Sequence, residues 1–262
     1  MTQSQYINDF FKTYSKFLSK ELYRAMRPNG TLQSTEGIVI NYYGGRPSQY
    51  LANFVRTFYT IIDFNDKDEK LNNITRYNKK LIDVYLNKIK NPLSINLEGE
   101  KLTENALFCE AIKDKKFVYT LELYYEAFYR FLNHAKNNQF LKHTVTSKHS
   151  ALFLQPTIEF YNALSHLYIA YSNEKETDIH SNINKALSHI HRGTLDYYKK
   201  LIKFVDLDTA DQEKLVDLRK KEFLSIGINT NDDTKINIIE NYAKFVFTLL
   251  TKFPNNALKT SK

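Results

Sequence analysis

Cysteine, proline and glycine are scarce in this chain, and tryptophan is absent. Of 262 residues, one is cysteine, five are proline and seven are glycine. Because β-sheets need many turns built from glycine and proline, this scarcity argues against an all-β fold. The lone Cys109 cannot form an intramolecular disulfide, and the first residues lack the basic-then-apolar order of a secretory signal. We therefore expect a protein of the reducing cytoplasm.

Long apolar runs are missing as well. The densest one, Phe245 to Leu250, is far shorter than the roughly 20 apolar residues of a membrane-spanning helix. Neither a phosphate-binding loop nor a dinucleotide fingerprint is present. Gly44 and Gly45, followed by Arg46, favour a turn over a ligand-binding site. The sequence predicts no membrane partner and no cofactor.

Apolar residues recur at helical spacing along almost the whole chain. The predicted helices span residues 6–27, 48–62, 66–91, 102–114, 117–135, 157–173, 178–205, 209–226 and 234–253. Thr209 and Gln212 have the spacing of a capping box, and Pro156 suits the start of a helix. Residues 37–43, followed by two glycines, form the one segment with an extended pattern. The sequence predicts an all-α, multi-helix bundle.

The predicted helices fall into two groups. An N-terminal helical layer takes residues 1–135, and a C-terminal bundle takes residues 156–253. The polar residues 136–155 between them are typical of a linker. The two groups form either separate units or one shared core.

A short internal repeat marks a helical hairpin in residues 157–205. The sequence Ala163-Leu-Ser-His166-Leu recurs as Ala186-Leu-Ser-His189-Ile, and a short connection joins the two helices. Each helix has an apolar side and, opposite it, a polar stripe that carries a histidine. The first stripe holds Glu159, Asn162, His166 and Asn173, and the second holds His189, Arg192, Asp196 and Lys199.

These stripes allow two interpretations. In the first, both face water and make ordinary ion pairs across helical turns. In the second, they line a groove or a second helix interface, where His189 and Arg192 hold a phosphate while Asp196 orients one of them. For this groove we expect catalysis, if any, from His189, His191, Arg192 and Asp196, and nucleic-acid binding from Arg192, Lys199, Lys200 and His166.

No metal centre is predicted. Glutamates Glu122 and Glu126 share a helix face, but the Glu-x-x-His pairs of a di-metal bundle are missing. One cysteine excludes a zinc site with two or more cysteine ligands. Three further histidines are expected on the surface: His134 at a helix end, and His143 and His149 in the linker.

Residues 184–200, Asn-Lys-Ala-Leu-Ser-His-Ile-His-Arg-Gly-Thr-Leu-Asp-Tyr-Tyr-Lys-Lys, resemble the later helix of the HEPN group, the helical domains of prokaryotic toxin, defence and CRISPR-associated proteins. Active members of that group cut RNA as dimers, and their signature is an arginine followed a few residues later by a histidine. Here His189 and His191 precede Arg192. The resemblance implies a metal-independent ribonuclease with a displaced motif, or an inactive binding relative.

The formal net charge of +8 is consistent with RNA or another polyanion as partner, or with an ordinary solvated basic surface. One hypothesis is therefore a HEPN-like, RNA-associated protein of a bacterial defence or toxin system. The alternative is a non-enzymatic interaction subunit of a larger complex. We also expect a homodimer through residues 157–205, in which Glu159 and Asp196 of one copy face Arg192 and Lys199 of the other, with a heteromeric partner as the alternative.

Overall fold

The computed structural model describes residues 1–24, 49–63, 69–88, 102–137, 151–203, 205–225 and 232–252. This part of the chain contains nine α-helices and no strand. They are α1 (Gln3–Arg24), α2 (Gln49–Ile62), α3 (Glu69–Lys88), α4 (Ala106–Ala111), α5 (Lys115–Asn137), α6 (Ala151–Ser172), α7 (Glu176–Ile202), α8 (Thr209–Ser225) and α9 (Asp232–Lys252). The prediction of an all-α bundle is confirmed, while the extended segment 37–43 lies outside the described residues.

One predicted helix start and one predicted helix cap are wrong. Residues 151–155, expected in a linker, already belong to α6, so Pro156 lies inside that helix. Ala151 and Leu152 favour helix, and proline near a helix start removes only one bond of the ladder. The predicted cap of α8 is also one residue late: the Asp208 side chain, not that of Thr209, accepts the backbone N–H of Asp211 (2.7 Å).

Helix α7 lies at the centre of the C-terminal half. It packs against α6, α5, α9 and α4. The apolar side predicted for α7 is buried throughout, as is that of α6. Its buried members are Ile183, Ala186, Leu187, Ile190, Thr194, Tyr197 and Leu201.

The N-terminal helices join this core through aromatic rings. Helices α1, α2 and α3 pack on one another, and α1 also contacts α6. Phe11 of α1 stacks on Tyr171 of α6 with ring centroids 4.7 Å apart, and the hydroxyls of Tyr14 and Ser165 are hydrogen-bonded (3.1 Å). Buried apolar residues of both sequence groups therefore form one continuous cluster.

One asparagine connects two helix ends. The Asn105 Oδ1 accepts the backbone N–H of Phe108 (2.9 Å) and caps the start of α4. Its Nδ2 donates to the carbonyls of Tyr171 (2.9 Å) and Asn173 (2.8 Å), where α6 ends. A single amide thus satisfies both donors and acceptors that helix termini leave without partners.

Helix α8 is attached differently from the others. Asp211 is its one buried residue, 1% exposed, and its carboxylate accepts two bonds from the Lys252 Nζ at the end of α9, both 2.9 Å. Farther along, Glu222 is bound by Lys199 of α7 and Tyr242 of α9. Polar contacts therefore hold a helix that buries little apolar surface.

Within the described helices, none combines the length and the apolar character that crossing a bilayer demands.

Candidate functional site

The polar stripes of α6 and α7 face each other, and Gly193 allows their close approach. A Cβ at this position would lie 2.8 Å from the Tyr124 ring, 3.2 Å from Glu159 Cβ and 3.2 Å from the Pro156 carbonyl oxygen. A side chain at this position would therefore force the Tyr124 ring or one of the helices to shift. The close packing brings residues of both helices into a cluster formed by Glu159, His166, His189 and Arg192.

His189 is fixed by Glu159. Its Nδ1 lies 2.7 Å from Glu159 Oε2, and the two side chains are 17% and 9% exposed. A carboxylate can only accept, so Nδ1 carries the hydrogen and donates it to Glu159. Because this tautomer leaves the lone pair on Nε2, His189 presents a basic nitrogen for chemistry.

Arg192 lies beside this pair. Its Nε is 3.5 Å from Glu159 Oε2, and its side chain is 58% exposed. A terminal guanidinium nitrogen also contacts His189 Nδ1 at 2.8 Å. Since the Nδ1 hydrogen is committed to Glu159, we assign Arg192 to the ion pair with the carboxylate. The exposed guanidinium remains accessible to an anion.

Glu159 is charged in the folded protein. Burial alone would raise the pKa of this carboxyl, but the hydrogen bond from His189, the Arg192 charge and a bond from Gln155 outweigh burial and lower the pKa of Glu159. The Gln155 Nε2 donates to Oε1 at 3.1 Å, so both carboxylate oxygens are used. An ionised, largely buried glutamate therefore lies within hydrogen-bond distance of His189.

His166 is the second imidazole. Its ring stacks on that of His189 with centroids 5.3 Å apart and planes 23° apart. Its Nδ1 lies 3.2 Å from the Asn182 Oδ1. The Asn182 Nδ2 donates to the Asp178 carbonyl (2.9 Å), which fixes the amide orientation, so His166 also carries its hydrogen on Nδ1.

The two histidines differ in electrostatic surroundings. Burial lowers the pKa of His166; the bond to Asn182 opposes this, while His189 and Lys185 add to it. His166 is therefore neutral at pH 7. Within the described residues no hydrogen bond engages Nε2 of either ring. One neutral imidazole thus lies next to another whose Nδ1 is held by a carboxylate.

The other basic residues of the stripe have roles inside the chain. Lys199 forms an ion pair with Glu222. Lys200 is half-buried, and burial lowers its pKa to about 8 although Asp196 raises it. Of the four residues predicted to bind nucleic acid, Arg192 and His166 are therefore the two that lie in the cluster.

Two predicted catalytic residues lie elsewhere. Asp196, expected to orient His189 or Arg192, is half-buried near Lys199 and Lys200, and burial raises its pKa despite those charges; Glu159 does the orienting instead. His191 is 5% exposed, with Nε2 3.4 Å from the Thr120 hydroxyl. Two residues along a helix are about 200° apart, so His191 faces the core and not the cluster.

Sequence reasoning missed the pairing of Glu159 with His189 and the role of Gly193. Glu159 was on the predicted polar stripe, but its contact with His189 was not predicted. The detectable signal was a glycine in the middle of a long helix, which is destabilising unless another element packs closely there.

The charges that predicted a hairpin homodimer are used within the chain. Glu159 is bound to His189 and Arg192, and Lys199 is bound to Glu222. These charges are therefore not available to pair across the predicted interface.

No group of three or more metal-ligating side chains occurs in the described ranges. Glu126 pairs with Arg130 (2.5 Å), and the predicted surface histidines His143 and His149 lie outside those ranges, as do Gly44, Gly45 and Arg46.

Comparison with known proteins returned no match: no family model fits the chain, and neither the curated proteins nor the solved structures gave a significant similarity. The function of the chain is therefore inferred from the geometry of the cluster.

Proposed function

We propose that this is a HEPN-like, RNA-associated protein of a bacterial defence or toxin system whose cluster binds an RNA phosphodiester and cleaves it without a metal ion. The observation that carries the proposal is the stacked pair of His166 and His189, 5.3 Å apart, with both Nδ1 atoms held by acceptors. Two oriented imidazoles beside an exposed arginine provide an acid, a base and an anion-binding group.

The roles follow from the surroundings of each ring. Neutral His166 takes the proton of the ribose 2′-hydroxyl at Nε2, and the 2′-oxygen forms a bond to the adjacent phosphorus. His189, oriented by Glu159, acts in its protonated form and gives its Nε2 proton to the departing 5′-oxygen as the P–O5′ bond breaks. Arg192 stabilises the negative charge on the phosphoryl oxygens.

Binding is tested with a short single-stranded RNA over a range of salt concentrations. Arg192→Ala should weaken binding and lower the salt dependence by about one phosphate contact, with the melting temperature almost unchanged. Arg56→Ala removes the same charge from an exposed position on α2 and should have little effect. Equal effects of both substitutions would indicate a non-specific charge contribution and contradict the site.

Cleavage is tested with the same RNA in excess chelator. His166→Ala and His189→Ala should each lower the rate by about 10²-fold or more, and a 2′-deoxy substitution at the cleaved nucleotide should abolish it. If binding depends on Arg192 but the unmodified protein does not cleave the RNA, the protein is an inactive RNA-binding relative of the HEPN group.

The alternative, a non-enzymatic interaction subunit, is favoured by exposed aromatic side chains on α5 and α9. Tyr129 and Phe247 are 52% and 54% exposed, and the Arg130 guanidinium lies 5.4 Å from the Phe247 ring centroid. Exposed aromatic and arginine side chains are enriched at protein interfaces. Tyr129→Ser together with Phe247→Ser should abolish complex formation in that case and leave RNA binding unchanged.

A further inference from the structure

Helix α8 exposes large apolar side chains away from the core. Val216, Phe223 and Leu224 are 68%, 71% and 58% exposed. At 100° per residue they lie about 100° or more around the helix from Asp211 and Glu222, which attach the helix to the fold. The outward stripe of α8, defined by Thr209, Glu213, Val216, Lys220, Phe223 and Leu224, is therefore partly apolar and open to a partner.

The charges of this outward stripe are balanced. Glu213 and Lys220, two turns apart, flank Val216, and neither forms an ion pair with another described residue. Their neighbours differ, because Asp217 pairs with Lys221 (2.7 Å) and Glu222 with Arg219 (3.1 Å). One free acid and one free base with an apolar residue between them make the surface complementary to itself.

We propose that α8 pairs antiparallel with α8 of a second copy of this chain. A two-fold axis between Val216 and Asp217 places Glu213 of each copy opposite Lys220 of the other, and Phe223 near Thr209. A polyanion or an anionic membrane would need a stripe with net positive charge, whereas this one is neutral. The inference does not depend on the proposed RNA function.

The size of the contact sets its strength. A helix of 17 residues is about 25 Å long and ~10 Å wide, so the interface is smaller than the roughly 1,200–2,000 Å² of stable complexes. We therefore expect a reversible dimer with a Kd in the micromolar range, about 1–100 µM.

Sedimentation velocity of the full chain from about 1 to 300 µM, at low salt, tests the pairing. The unmodified protein should shift from monomer to dimer. Glu213→Lys or Lys220→Glu alone places like charges opposite each other twice, and each should raise Kd about tenfold or more. The double variant Glu213→Lys/Lys220→Glu restores both pairs and should restore the unmodified Kd to within about threefold.

Lys214→Glu is the matched control, because Lys214 is exposed on α8 but lies about 120° from Lys220 around the helix; its Kd should stay near that of the unmodified chain. All substitutions are on the surface, and circular dichroism verifies that each variant is folded. A monomer throughout the concentration range, unaffected single variants, or a double variant that remains monomeric would overturn the proposal. The first of these results would leave the outward stripe to a different partner.

Discussion

The backbone of Gly193 and the ring of Tyr124 are in direct contact, and a methyl group added at Gly193 would lie 2.8 Å from the Tyr124 Cε2. The Tyr124 ring is itself fixed, because its hydroxyl donates to the Pro156 carbonyl (3.0 Å). Three helices therefore meet at this point, and the cluster of Glu159, His166, His189 and Arg192 depends on their separation.

Gly193→Ala should destabilise the protein even though alanine favours helix by about 1 kcal/mol. The added methyl overpacks the junction, which costs about 1–3 kcal/mol. Urea denaturation measures the change. Asn184→Ala, at an exposed position of the same helix, is the control and should be neutral or slightly stabilising. A Gly193→Ala variant as stable as the control would show that the helices are farther apart.

Stability should rise with pH around neutrality because of His166. Its pKa in the folded protein is lowered from 6.5, so between the folded value and 6.5 the unfolded chain binds more protons. The stabilisation is complete above 6.5 and is lost as pH falls below it. His166→Asn should flatten the denaturation free energy between about pH 5 and 7, whereas His180→Asn, at an exposed histidine of α7, should keep the slope of the unmodified protein.

Glu222→Gln should loosen α8. The Glu222 carboxylate, 15% exposed, binds Lys199 and accepts the Tyr242 hydroxyl (2.8 Å); glutamine leaves a partly buried Lys199 without its counter-charge, at a cost of about 1–3 kcal/mol. Hydrogen exchange in residues 209–225 should accelerate. Asp217→Asn breaks an exposed pair with Lys221 on the same helix and should change stability by less than about 0.5 kcal/mol. Equal effects would contradict the anchoring role.

Lys200 should titrate far below ordinary lysines. Burial lowers its pKa to about 8, compared with ~10.4 for an exposed lysine. The rate of reductive methylation at Lys200, followed by peptide mass spectrometry, should therefore have a midpoint near pH 8. Asp196→Asn removes the charge that raises this pKa and should move the midpoint lower. A midpoint above pH 10 would be inconsistent with a buried ammonium group.

Helical periodicity predicted the fold because most helices have one apolar side. The residues predicted for the apolar sides of α6 and α7 are buried, and these spacings depend only on local geometry. Boundaries were less predictable. Helix α6 begins before Pro156 because a proline near a helix start removes only one bond of the ladder, and the cap at Asp208 depends on an individual side-chain contact.

The site was predicted only in part. His166, His189 and Arg192 were placed on polar stripes, but which neighbour neutralises which charge depends on the distance between helices, and no periodicity encodes that distance. Asp196 was predicted to be the carboxylate that orients His189 or Arg192, because it lies on the same helix. The carboxylate that orients His189 is Glu159, which belongs to α6.

The shared amide of Asn105 makes two distant segments one cooperative unit. Its Oδ1 caps α4, and its Nδ2 binds the last carbonyls of α6 at the turn of the hairpin. When the short α4 detaches, the end of α6 loses two hydrogen bonds at the same moment, so the hairpin turn cannot fray alone. Helix α4 has six residues and is too short to be stable by itself. Through the side chain of Asn105 it nevertheless holds the connection between the two histidine-bearing helices in place.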